Sequence, residues 1–144
     1  MKLKKLFQEV TGFTLIEMLA TIGIAGILVG IAVPRFYALL PGIRLASAAR
    51  QVATDLQLAR MRAISQHAPQ MVLFNTSTAT YTFGTADTRN LSQLYPGTTI
   101  TSVSAGNPTF TTTGTAAAQT TITLSNGGVT KQVLVTTIGR VNIP

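Results

Sequence analysis

The chain contains few side chains that could carry out acid–base, nucleophilic or metal chemistry. It has no cysteine, and beyond residue 12 its carboxylates and histidine are Glu17, Asp55, His67 and Asp87. A catalytic dyad or a three-ligand metal site would need nearly all four groups to converge. His67 lies where a helix is expected to end, and the helix dipole favours a cation there. We therefore predict no enzyme activity, no catalytic residues, no metal site and no cofactor.

Glu17 is the acid with the most unusual surroundings. It lies in an otherwise apolar run from Phe13 to Val33, which as a helix would be about 31 Å long at 1.5 Å per residue. The hydrocarbon core of a bilayer is about 30 Å thick, so this run can cross it once. A charged side chain at membrane depth costs about 2.5–3.5 kcal/mol on insertion scales. We therefore expect Glu17 to have a cationic partner or a specific role.

The start of this run resembles the processing site of type IV prepilins and type II secretion pseudopilins, through the residues Gly12-Phe13-Thr14-Leu15-Ile16-Glu17. The resemblance implies that a prepilin peptidase cleaves between Gly12 and Phe13 and N-methylates Phe13. It also implies that Glu17 meets the terminal amine of a neighbouring subunit during filament assembly. A buried carboxylate is tolerable beside a cation. The alternative is an ordinary signal peptide, but no Ala-x-Ala cleavage site follows the apolar run.

A narrower resemblance is to the branch of this family that contains the minor pseudopilin H and the minor pilin FimT. It is carried by the helical segment from Asp55 to Ile64, by the apolar residues 71–74 and by a terminal Gly139-Arg140-Val141. It implies a structural subunit of a type II secretion pseudopilus that supports protein export. The expected partners are other pseudopilins or pilins in a heteromeric filament, and the secreted substrate or the secretin.

The same branch leaves a second function open, a FimT-like minor pilin that binds DNA for uptake in natural transformation. Lys131 and Arg140 are the DNA-binding candidates in that case. DNA-binding members carry Gly-Arg-x-Arg near the C-terminus, and here Asn142 replaces the second arginine. We therefore expect at best weak, salt-sensitive DNA binding, because phosphate contacts depend on basic side chains.

The predicted organisation has four parts. Residues 1–12 form a leader that is removed, 13–34 a transmembrane and filament-core helix, 35–68 an amphipathic helix, and 71–144 a periplasmic β-rich domain. The net charge is +7, and three leader lysines favour a cytoplasmic N-terminus, although Arg35 and Arg44 flank the other end of the run. With the resemblance, this predicts a single-pass protein of the bacterial inner membrane that later joins a periplasmic pseudopilus or a pilus.

Spacing within the two helical parts predicts their packing faces. Gly23, Gly26 and Gly30 recur at i, i+3 and i+7, which allows close helix–helix approach, although glycine is common in membrane helices. We expect Pro34 and Pro41 to bend or interrupt the helix, which should end near residues 67–69. A stripe of the amphipathic part is predicted to be buried: Leu45, Ala49, Val52, Leu56, Ala59 and Ala63.

Beyond residue 70 the period changes to that of β-strands. Strands are predicted at 71–74, 80–84, 98–103 and 108–111 from threonine-rich, alternating patterns. A hairpin is predicted for 121–125 and 129–138, because Asn126-Gly127 supplies the positive φ angles of a tight turn. Residues 111–118 are expected to form a flexible loop. The fold class is therefore α+β, with a long bent N-terminal helix packed on an antiparallel β-sheet domain, as in pilins.

Overall fold

The structure, a computed structural model, describes residues 12–84 and 87–144. The predicted leader therefore lies outside the described residues except for Gly12. The chain divides into two compact units, Met1–Ala38 and Leu39–Pro144. The boundary comes four residues after the predicted end of the transmembrane part.

Helix α1 extends from Leu15 to Ser65. Thr14 is its N-cap: the backbone oxygen of Thr14 accepts from the backbone nitrogen of Met18 at 3.1 Å, and its Oγ1 accepts from the backbone nitrogen of Glu17 at 3.3 Å. The first is the first bond of the helical ladder, and the second satisfies an N–H donor that has no backbone partner in the first helical turn. The helix continues through Pro34 and Pro41, so neither proline interrupts it.

The part of α1 that belongs to the second unit buries the predicted stripe. All six residues of the stripe are buried, and the stripe is widened by two further alanines. Small side chains dominate this face, so the backbone of the helix can approach the strands closely. The buried residues of the stripe and its extension are Leu45, Ala48, Ala49, Val52, Ala53, Leu56, Ala59 and Ala63. The predicted amphipathic helix is confirmed.

The strands form two four-stranded sheets in which every neighbouring pair is antiparallel. In the first sheet the order is β3-β2-β1-β5, with β1 Gln70–Asn75, β2 Thr80–Phe83, β3 Asp87–Asn90 and β5 Thr109–Phe110. In the second it is β4-β6-β7-β8, with β4 Thr99–Val103, β6 Thr120–Asn126, β7 Val129–Val135 and β8 Val141–Asn142. A short helix, α2 (Leu91–Leu94), follows β3. The α+β class is confirmed.

The predicted β6–β7 hairpin is present, but β7 ends at Val135 and not at residue 138, and the positive φ angles of the turn belong to Gly127 and Gly128, not to Asn126. Asn126 pairs with Val129 across a turn in which both glycines have positive φ angles. Residues alternate along β6, so Ile122 and Leu124 are buried on the face that also buries Val133 of β7. A one-residue shift of register would move these side chains out of the core.

The threonine-rich segment 111–118 is a loop, as predicted, and backbone hydrogen bonds close it; its flexibility remains a prediction. The backbone nitrogen of Thr111 donates to the oxygen of Thr115 at 2.8 Å, and that of Gly114 donates to the oxygen of Thr111 at 2.9 Å. Ala116 is buried, and its backbone nitrogen donates to the oxygen of Thr137 at 2.9 Å. Backbone pairing and one buried methyl group thus attach the loop to the second unit.

Asp55 lies in the core, on the buried face of α1. Its side chain is almost fully buried, and its Oδ2 accepts hydrogen bonds from the Tyr81 hydroxyl at 2.5 Å and from Gln51 Nε2 at 3.1 Å. Arg89 Nε lies 3.8 Å from the same oxygen. Burial and the adjacent Asp55 carboxylate raise the pKa of Tyr81 far above its usual value, so Tyr81 stays protonated and donates. These contacts join α1 to the first sheet.

Replacing Tyr81 with phenylalanine is expected to destabilise the second unit by about 1.5–3 kcal/mol, because the buried carboxylate loses a charge-assisted hydrogen bond. The measurement is urea unfolding of the detergent-solubilised protein, followed by far-UV circular dichroism. Tyr95→Phe is the matched control, since Tyr95 is partly buried but its hydroxyl makes no hydrogen bond to the described residues. Equal losses in the two variants would contradict a specific role for the Asp55–Tyr81 bond.

Candidate assembly site

The first unit exposes an apolar helix along its whole described length. Every described residue from Gly12 to Ala38 is exposed, including Phe13 at 81% and Ile16 at 72%. Among the described residues, α1 is the one helix long and apolar enough to cross a membrane. A helix that is apolar all round is stable only when lipid or other helices cover it. This surface therefore requires cover from outside the chain.

The residues of the processing motif lie together at the start of this helix. Gly12, Phe13, Thr14 and Glu17 line an open concavity of about 510 Å³. Thr14 caps the backbone of Glu17, but the Glu17 carboxylate makes no hydrogen bond or ion pair with the residues that the structure describes. The carboxylate is therefore available to an external cation.

Other polar atoms of the apolar run are satisfied locally. The Thr21 hydroxyl donates to the backbone oxygen of Glu17 at 2.7 Å, a bond that lets a threonine enter an apolar environment at low cost. Within residues 13–33, Glu17 is thus the group that needs a partner from elsewhere. Its role in assembly, and cleavage and methylation at Gly12 and Phe13, remain predictions.

The three glycines of the apolar part of α1 are open on the side where a side chain would project. Among the described residues, a Cβ atom added at Gly23, Gly26 or Gly30 would meet nothing within 4 Å. Their spacing places them on one face, where the helix backbone is open to close approach. Packing among the described residues therefore does not account for these glycines, and their role in packing against a neighbouring helix remains a prediction.

In the second unit, two of the segments that carry the narrower sequence resemblance, 55–64 and 139–141, lie next to each other. Arg60, near the end of α1, donates from Nε to the backbone oxygen of Gly114 at 2.8 Å. Gly139 lies against the same carbonyl, because a Cβ atom built on Gly139 would be 1.9 Å from the Gly114 oxygen. A groove of about 390 Å³ beside this contact is lined by Gln57, Arg60, Met61, Gly139, Arg140 and Val141.

The structure does not bring the two DNA-binding candidates together. Arg140 lies in the groove, in the turn before β8, whereas Lys131 lies on β7 opposite Leu124 and lines a different surface with Pro144. Val135 of β7 pairs with Val141, so Lys131 is displaced from that end of the strand by about 13 Å at 3.3 Å per residue. The pair does not form one basic cluster.

The chemically reactive residue types are also separated. Asp55 is in the core, and the Asp87 carboxylate accepts from Arg62 Nη1 at 2.7 Å on the surface. His67 follows the end of α1 in a left-handed conformation, with φ of 50°. The sequence analysis did not predict the contact between Arg60 and Gly114. The only sequence signal for it is the presence of Gly114 and Gly139, two glycines outside the tight β6–β7 turn that are needed for close backbone approach.

Comparison with known proteins identifies the family. Residues 48–139 match the family model described as type II transport protein GspH, and this range contains Arg60, Gly114 and Gly139. The chain belongs to the GspH family. No curated protein matches the sequence.

Two kinds of solved structure share the fold of this GspH-family chain. The type IV minor pilin FimU of Pseudomonas aeruginosa has 18% identity and a TM-score of 0.57, over 69% of this chain and 92% of that one. The minor pseudopilin EpsH from the type 2 secretion system of Vibrio cholerae has 14% identity and a TM-score of 0.59, over 70% of this chain and 96% of that one. The predicted pilin-like fold is confirmed.

Gly139→Ala is expected to destabilise the protein by about 2–5 kcal/mol, since the new methyl group would add overpacking to positive-φ strain. Gly128→Ala is the matched control. Both glycines have φ near +80°, but a Cβ atom at Gly128 meets nothing within 4 Å. Backbone strain alone should therefore lower the free energy of unfolding of Gly128→Ala by about 1 kcal/mol. The measurement is the free energy of unfolding in urea. Similar losses at the two positions would show that the Gly114 contact has little weight.

Proposed function

We propose that this protein is a minor pseudopilin, a structural subunit of a type II secretion pseudopilus that supports protein export across the outer membrane. The observation that carries the proposal is Glu17, whose carboxylate has no partner among the described residues and lies in an exposed apolar helix directly after the Gly12–Phe13 motif. Membership of the GspH family and the fold shared with EpsH and FimU support it.

The assembly mechanism follows from the cost of this charge. In the inner membrane the helix is covered by lipid, but a carboxylate at that depth costs about 2.5–3.5 kcal/mol. The prepilin peptidase cleaves after Gly12 and leaves an N-methylated amine on Phe13, which remains cationic. When the helix leaves the bilayer and packs among other subunits, Glu17 pairs with such an amine on a neighbour. The pair removes the charge penalty, and the apolar faces remain covered throughout.

The orientation proposed is a cytoplasmic N-terminus with the second unit in the periplasm. The apolar helix anchors the subunit before assembly, and the β-rich unit then lies on the outside of the filament. There it is in reach of other pseudopilins, the secretin and the secreted substrate. No step in this mechanism requires a catalytic group in the chain.

We favour secretion over DNA uptake on two observations. Asn142 replaces the second arginine of the Gly-Arg-x-Arg pattern, and Lys131 lies on a different surface from Arg140. Sequence-independent DNA binding gains affinity from each phosphate contacted by a basic group, so dispersed cations give weak binding. Genes for a secretion ATPase and a secretin beside this gene would agree with the secretion assignment, whereas competence genes would favour the alternative.

Replacing Glu17 with leucine is expected to lower incorporation into filaments at least tenfold, because nothing then meets the neighbour's amine. Membrane insertion should be unchanged, since the helix becomes more apolar. The measurement is the ratio of subunit in sheared filaments to subunit in the inner membrane, by immunoblot. Thr21→Val is the matched control, because it removes a polar group one turn away whose hydroxyl is bonded within the helix. Normal incorporation of the Glu17 variant would remove the role proposed for the carboxylate.

Replacing Gly12 with valine is expected to block processing and leave a precursor whose mass is larger by residues 1–12. Intact-mass spectrometry of the purified subunit measures this, and the wild-type protein should begin at an N-methylated Phe13. Gly23→Val is the control, since Gly23 lies within the helix and outside the motif. A native protein that retains its leader and still enters filaments would contradict the processing step.

A further inference from the structure

The mature chain has an excess of cations that its own carboxylates do not match. From Phe13 onward it has eight arginines and lysines but three acidic residues. Ion pairs among the described residues use two of the cations, Arg62 with Asp87 and Arg89 with Asp55. The cations left without an ion pair there are Arg35, Arg44, Arg50, Arg60, Lys131 and Arg140.

The acids of a second copy of this chain are poorly placed to serve these cations. Asp55 is buried under Tyr81, and Asp87 is already in an ion pair with Arg62 at 2.7 Å. Glu17 lies in the apolar helix of the first unit. We therefore expect a carboxylate that binds the arginines without an ion pair among the described residues to come from a protein of different sequence.

The groove beside Gly139 holds two of these arginines in fixed positions. Arg60 Nε is bound to the Gly114 carbonyl, and its Nη1 and Nη2 atoms make no hydrogen bond to the described residues. The backbone of Arg140 is fixed by Thr136 on both sides: Arg140 N donates to Thr136 Oγ1 at 3.1 Å, and Thr136 N donates to the Arg140 oxygen at 2.9 Å. Met61, 58% exposed, adds an apolar surface beside them.

We propose that this groove binds an acidic segment of a different pilin-like subunit, through carboxylates on Arg60 and Arg140 and an apolar side chain on Met61. This inference rests on the proposed function, because it names a neighbour in the filament. Guanidinium groups bind carboxylates through two parallel hydrogen bonds. Because Arg60 and the backbone of Arg140 are already held in place, the ordering cost within the groove is mainly that of the Arg140 side chain.

A nucleic acid fits the groove less well than a protein segment. Binding of a phosphate backbone depends on many cations along its length, and the groove offers two. Its lining contains no aromatic side chain on which a base could stack. Met61 and Val141 instead favour an apolar side chain next to an acidic one.

The experiment places a photo-crosslinking amino acid at Met61 of the full chain in cells, shears and purifies the filaments, and identifies cross-linked peptides by mass spectrometry. We expect a cross-link to an Asp- or Glu-containing segment of another pilin-like subunit. Arg140→Glu should reduce this product at least tenfold, whereas Arg140→Lys, which keeps the charge but loses the two parallel hydrogen bonds, should reduce it less than Arg140→Glu does. Arg140 is exposed and its side chain makes no hydrogen bond to the described residues, so both variants should fold normally.

A photo-crosslinker at Leu94 is the positional control. Leu94 is 54% exposed on α2 and does not line the groove, so its products should not respond to Arg140→Glu. A cross-link from Met61 to another copy of this chain or to DNA, no cross-link in purified filaments, or an unchanged product in Arg140→Glu would each overturn the inference. Absence of the wild-type subunit from the filament fraction would overturn the proposed function itself.

Discussion

The first unit depends on one unbalanced charge. Glu17 lies in a helix that is apolar on every side, its backbone is capped by Thr14, and its carboxylate has no partner among the described residues. Lipid can cover the apolar surface but leaves the charge penalty in place. Only an environment that is apolar and also supplies a cation meets both needs. In the function proposed above, a bundle of like helices with cationic N-termini supplies such an environment, so the residues proposed to hold the subunit in a membrane would also favour its transfer into a filament.

In the second unit, the continuation of the same helix forms one side of a hydrophobic core. Up to residue 39 every described side chain of α1 is exposed, and from Leu45 onward one stripe is buried. The buried stripe and its extension consist largely of alanine, whose side chains fill little space. The large buried side chains of this core come mainly from aromatic residues of the first sheet. Asp55 is the exception within this face, and Tyr81 makes it tolerable by donating a hydrogen bond to it.

Periodicity predicted those parts of the fold that repeat a pattern over several residues. The stripe of α1 and the β6–β7 hairpin, with Asn126 before its glycines, are confirmed. It failed where a strand has no apolar pattern of its own. β3 and β8 are short and carry few apolar residues, and they form by pairing with the edges of β2 and β7. Nor does the sequence show that Asp55 meets Tyr81, because their contact joins residues 26 positions apart.

The contact around Gly114 joins three segments that are far apart in the chain: the end of α1, the loop 111–118 and the turn before β8. Gly139 can approach the Gly114 carbonyl only without a side chain, and both glycines have φ angles near +80°, which other residues adopt at a cost. Arg60 then spans the junction with its Nε, which positions the rest of its guanidinium beside the turn that carries Arg140. Composition predicts only a flexible loop for residues 111–118. The packing makes these residues the support for a basic groove, which we propose is filled by an acidic segment of a different pilin-like subunit.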